Sequence, residues 1–105
     1  MTVYVVQEVK GLNILPARLY GELKLLLGPG QVVMFIQPAI HKLRKKLKDF
    51  NDDDYLLLVG DPVAIGIATA VASSINRGTV NFLKWDRQEA CYYPLLAQIE
   101  RKNHD

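Results

Sequence analysis

Apolar positions change their period along this chain, from short runs to spacings of three and four and back again. Thr2 to Val9, TVYVVQEV, is β-branched and aromatic and breaks at Gly11, which predicts a strand over 2–9. Residues 19–27 stay open between strand and helix, because the leucine run from Leu23 to Leu27 has no period of its own. Gly28-Pro29-Gly30 ends that segment. Val32 to Ile36, VVMFI, predicts a short strand covered on both faces.

Two helices of different character follow. Pro38 suits a first helical turn, and Ile40, Leu43, Leu47 and Phe50 then recur at spacings of three and four. At 100° per residue they fill an arc of about 80°, the stripe of an amphipathic surface helix over 38–50. Asn51 to Asp54 turns the chain, and Tyr55 to Val59 predicts a second buried strand. Asp61 is placed to cap a helix and Pro62 to open it. That helix, over 62–76, has a bulky row of Val63, Ile67, Val71 and Ile75 and a small row of Gly66, Thr69, Ala70 and Ser73. It carries no charge before Arg77, which predicts a largely buried element with a small face for close approach.

Gly78 stops the second helix, and Thr79 to Trp85 reads as a strand. DRQE turns the chain and ACYYPLLAQIE returns it antiparallel, with Pro94 assigning this last strand to an edge. Strand–helix–strand–helix–strand implies parallel pairing with right-handed crossovers. The expected fold class is α/β: one domain with a βαβαβ parallel core, its strands near 32–36, 55–59 and 79–85. The strand over 2–9 and an antiparallel hairpin over 79–95 extend that core.

Length and composition narrow the picture. A chain of 105 residues fits one domain over 1–105, with a polar tail over 100–105. Half the residues are apolar, a globular composition. The single cysteine, Cys91, excludes an internal disulfide, and the start MTVYVVQEVKG lacks the parts of a signal peptide. No apolar run approaches the ~20 residues of a membrane span, so no membrane role and a cytoplasmic location are expected.

The net charge of +2 is too small to name a partner, but its distribution is not even. His41, Lys42, Arg44, Lys45, Lys46 and Lys48 cover nearly everything outside the first helix's apolar stripe. Such a face meets phosphates through counterion release, or an acidic protein surface through steering. The plainer alternative is a solvated face whose lysine stems shield the stripe. No aromatic side chain interleaves with these cations, which argues against a single-strand stacking platform.

Other candidates are weaker. Gly60-Asp61-Pro62 follows a strand where open parallel sheets collect ligands, yet neither Gly-rich phosphate fingerprint is present. Asp61 puts a carboxylate where a phosphate would rest and Pro62 removes an N–H donor, so a helix cap explains both. A nucleotide or phosphoryl ligand at Gly60 and Asp61 remains the rival reading. Asp52 to Asp54 lacks a calcium-loop layout and reads as a solvated turn that partly neutralises the neighbouring lysines. Cys91 has no glycine elbow, and the histidines, His41 and His104, lie in the basic helix and the tail. There is no catalytic constellation and no zinc set, so the balance leans against an enzyme, with no cofactor and no metal expected.

Trp85, Arg87, Tyr92 and Tyr93 gather in the hairpin and include the residue types that dominate interface hot spots. Alternation sends Tyr92 and Tyr93 to opposite faces, so core and interface roles coexist, and the edge is a candidate for pairing in a homodimer. At DDDYLLLVGDPVAIGIA and LKWDRQEACYYP, and over most of the chain, the sequence resembles small conserved proteins of tailed bacteriophages. The resemblance carries no catalytic residue over. It implies an intracellular product of an infected bacterium that binds host or phage machinery. The leading expectation is therefore a non-enzymatic binding protein that engages nucleic acid or an acidic host or phage protein. A structural, oligomeric scaffold is the third alternative.

Overall fold

The computed structural model describes residues 1–30 and 36–100. Its elements are β1 (Thr2–Gln7), a 3-10 helix (Leu15–Tyr20), β2 (Glu22–Leu27), α1 (Gln37–Lys46), β3 (Tyr55–Leu57), α2 (Pro62–Ile75), β4 (Thr79–Asp86) and β5 (Cys91–Gln98). One five-stranded sheet has the order β2-β1-β3-β4-β5. The first three pairings, β2 with β1, β1 with β3 and β3 with β4, are parallel, and only β4 with β5 is antiparallel. The fold class read from the sequence is thus observed, with β5 at an edge and Pro94 opposite Leu83.

Several details differ from expectation. Of the strand expected over 32–36, residues 32–35 lie outside the described residues, and Ile36 is the N-cap of α1. The ambiguous segment resolves as β2, a strand at the other edge of the sheet. β1 is not an addition to the core but an interior strand, paired on both sides. Its Val3, Val5 and Val6 are wholly buried, as a strand covered on both faces requires.

The direction of the crossovers explains how both faces are covered. From β1 the chain steps outward to β2, then reverses, crosses to β3 and steps on to β4. Right-handed crossovers then place the 3-10 helix on one face and both α-helices on the other. The cores agree with this. Tyr4, Val6, Leu26, Leu43, Leu47, Phe50, Ala64 and Ala68 pack under the helices. Val3, Val5, Leu57, Leu83 and Tyr92 pack with Ala17 of the 3-10 helix on the opposite side.

α2 departs most from its sequence reading. Ala64, Ala68 and Ala72 lie at a spacing of four and are fully buried, with Val71 beside them. Val63, of the bulky row, is 48% exposed, and Gly66 and Ala70, of the small row expected to make the close approach, face solvent together with Ser74. The helix approaches the sheet through alanines because only small side chains permit that distance. The larger aliphatics are left on its flanks. Gly78, the expected left-handed stop, has φ +85° and its N–H donates to the Ser73 carbonyl at 2.7 Å.

Candidate binding face

α1 is positioned by its apolar stripe. Leu43, Leu47 and Phe50 are buried, Ile40 is half-buried, and Phe50 meets the Tyr4 ring of β1 at 5.7 Å between centroids. Its N-terminus has no side-chain cap, but Pro38 falls in the first turn. Arg44, Lys45 and Lys46 fill the last turn, where cations stabilise the negative end of the helix dipole.

The helix expected over 38–50 ends at Lys46, so five of the six predicted cations lie on α1 and Lys48 lies in the turn after it; by position they divide into three groups. His41 and Lys45 point outward and are exposed. Arg44 and Lys48, four residues apart and in line with Ile40, border α2 and line a groove between the helices. Lys42 and Lys46 lie toward β2. Lys46 is the least free of them, because its Nζ donates to the Leu25 carbonyl at 3.2 Å. Burial first, then the charges of Lys42 and Lys24, hold its ammonium below the ordinary lysine value. Lys46 therefore also has a structural task, fastening α1 to the edge strand.

Lys24 extends this electropositive surface and was not among the sequence candidates. It sits on β2, with its Nζ 5.6 Å from the centre of the Tyr4 ring. Nothing local in the sequence ties Lys24 to α1; only the pairing of β1 with β2 brings them together. The groove was missed for the same reason. It measures about 490 Å³, and its α2 side is Ile67, Ala70, Val71, Ser74 and Ile75.

The acidic run has a structural role that its sequence did not suggest. Asp54 is buried rather than solvated. Its two carboxylate oxygens accept from Thr2 N at 3.0 Å and from Asn51 N at 3.1 Å, tying the turn to the start of β1. Asp52 Oδ1 accepts from Asn76 Nδ2 at 2.9 Å, linking the turn to the end of α2.

At Gly60-Asp61-Pro62 two neighbouring backbone donors, Asp61 N and Val63 N, are already engaged. Asp61 N donates to Gln7 Oε1 at 2.8 Å, Pro62 has no N–H, and Val63 N donates to the Asp61 carboxylate at 2.8 Å. Asp61 is the N-cap of α2. The buried Gln7 side chain also donates to the Gly30 carbonyl, so one amide joins the carboxyl ends of β1 and β3 to the 28–30 turn. Gly60 has φ +121°, and a Cβ there would stand 2.5 Å from Gln7 Cβ. An open crevice of about 850 Å³ lies over this junction, with Glu8, Lys10 and Asp61 among its walls. Its place is the point where the connections from neighbouring strands leave in opposite directions.

In the hairpin the structure joins Trp85 and Tyr92 and separates Tyr93. Trp85 and Tyr92 are register partners on one face, their rings 4.9 Å apart and edge-on. Tyr92 is core, and Tyr20 Oη donates to its carbonyl at 3.2 Å. Trp85 is 41% exposed, Arg87 lies in the exposed turn, and Tyr93 points to the helical face. Cys91 is free and exposed. Among the described residues no helix is long and apolar enough to cross a membrane.

The family model described as Phage Pam3 gp32-like protein matches residues 1–99. No curated protein and no solved structure matches the chain.

Proposed function

We propose, from the premise that the chain belongs to the Phage Pam3 gp32-like protein family, that it is a binding protein. In this reading α1 engages a polyanionic surface of a host or phage macromolecule, nucleic acid or acidic protein, in the cytoplasm of the infected cell. The observation that supports it most is the separation of tasks on α1. Leu43, Leu47 and Phe50 hold the helix to the sheet, which leaves His41, Lys42, Arg44, Lys45 and Lys48 exposed outside the packed stripe. Titration of the protein with labelled duplex DNA, single-stranded DNA, RNA and poly-glutamate, at low and moderate salt, tests it. Binding that weakens with salt, and is lost when the exposed cations are reversed, is the expected result. A charge-reversed α1 that binds all four as well as the parent overturns it.

The rival reading, a nucleotide or phosphoryl ligand at Gly60 and Asp61, draws support from the crevice at the reversal of the sheet. Against it stand the engaged N–H groups of Asp61 and Val63. A phosphate there would find those two backbone donors taken. Thermal-shift measurement with nucleotides and Mg²⁺ separates the two readings, since only this one expects stabilisation.

A scaffold role, with a homodimer as its simplest form, rests on the outer edge of β5. Leu95 and Leu96 are exposed there beside unpaired backbone groups, the template for strand addition. Light scattering that reports a strict monomer at high concentration removes this reading.

A further inference from the structure

The groove between α1 and α2 is chemically one-sided. Its α1 wall carries Arg44 and Lys48, while α2 has no charged residue from Pro62 to Ile75. Its floor and far wall are Ile40, Ile67, Ala70 and Ser74 with buried aliphatics beneath. Val63, Ile67, Ala70 and Ser74 follow one another at spacings of four, three and four. That is the seam a further helix packs against. Val63, nearly half exposed, continues this row toward the N-terminal end of α2. From Ile67 to Ile75 the α2 wall covers eight residue steps, about 12 Å or two helical turns, and Ile40 to Lys48 forms the opposite wall, from α1 into the turn after it.

We infer that this groove receives an amphipathic helix of a partner protein, with an aliphatic stripe flanked on one edge only by acidic residues four apart. The inference rests on the proposed binding role of α1 and narrows it to a protein. Nucleic acid would satisfy Arg44 and Lys48 but would leave the aliphatic row of α2 facing water or phosphates. A neutral apolar helix would cover the row but leave the two cations unmatched. An acid-edged helix satisfies both walls, which is the helix-in-groove mode of recognition. A second copy of this chain does not, because neither α1 nor α2 carries a carboxylate to offer. Arg44, in the last turn of α1, and Lys48, just past its end, stand on the same wall of the groove, so acids at i and i+4 of the incoming helix, which share one edge, face them both.

The test uses the full chain and a labelled synthetic helix of about 15 residues, the length at which isolated helices begin to hold. One peptide carries a leucine stripe with glutamates along one edge; companions carry glutamine or lysine there, and a fourth is scrambled. The glutamate-edged peptide is expected to bind, and the glutamine version about tenfold more weakly, the combined effect of two exposed ion pairs. Reversing both rim cations, Arg44→Glu with Lys48→Glu, is expected to exchange the preference in favour of the lysine-edged peptide. Ala70→Gln, which obstructs the exposed floor, should weaken every helical peptide. Arg18→Glu, exposed on the 3-10 helix on the opposite face of the sheet, should change affinity by no more than about twofold, since only distant charge is altered. Melting curves establish that each variant folds. Equal binding of all edges, no exchange of preference, or equal loss in Arg18→Glu overturns the inference. If polyanions bind while the peptides ignore Ala70→Gln, the groove falls and the binding role of α1 stands. If neither class of ligand binds, both fall.

Discussion

Helices α1 and α2 lie side by side on one face of the same sheet, and they are held there by opposite means. α1 and the turn after it insert large side chains, Leu43, Leu47 and Phe50. α2 inserts Ala64, Ala68 and Ala72 and brings its backbone close, leaving larger aliphatics on the flank. The outer surfaces differ accordingly, charged on α1 and uncharged on α2. A helix anchored by bulk has its other positions free for charge. One anchored by alanine is nearly apolar all round, and its outward face is then an attractive surface rather than a solvated one.

This contrast is open to attack by substitution. Leu43→Ala should cost about 3 kcal/mol, the range for emptying a wholly buried leucine site, measured by urea unfolding. Ala68→Leu should cost about 2 kcal/mol through overpacking, whereas Val63→Ala should cost under ~0.5 kcal/mol. If Val63→Ala proves the more damaging of those two, α2 is anchored by bulk after all. Asp61→Ala removes the side-chain cap of α2 and should cost about 1 kcal/mol. The start of α1, where Ile36 makes no such bond, has no matching vulnerability.

Smaller in size is a dependence on alkaline pH. Burial, then the charges of Asp54 and Asp49, raises the Tyr4 phenol above its ordinary value of 10.0 beneath α1; burial alone raises Tyr92 on the opposite face. Raised folded values mean that the unfolded chain ionises first. The associated stability is therefore complete below pH 10 and is lost as pH climbs through the folded values. Tm measured from about pH 8 to about pH 11 should fall at the upper end. Tyr4→Phe should soften that fall, and an unchanged profile would place its cause elsewhere.

The regions differ also in how much their sequence discloses. α1 was legible because its stripe and its cations contrast strongly at helical spacing. α2 was legible as a helix but not in its orientation, since the row 64, 68, 72 is as regular as the row 63, 67, 71, 75. A small face for close approach was expected on Gly66, Thr69, Ala70 and Ser73, and contact with the sheet selected Ala64, Ala68 and Ala72 instead. The place of β1 could not be read at all. Its crossover to β2 uses a short 3-10 turn containing Pro16, too brief to show a helical period. For the candidate face, the cations were visible and their division was not. Which of them meet α2, and which meet β2, is decided by pairings between segments far apart in the chain.

The lone thiol gives these experiments a practical foothold. Cys91 begins β5, on the far side of the sheet from β2 and Lys46, four strand spacings or about 19 Å across. A maleimide dye placed there modifies one site only and leaves both helices untouched. Paired with an acceptor on an incoming molecule, it would report by energy transfer which flank of the sheet that molecule has reached.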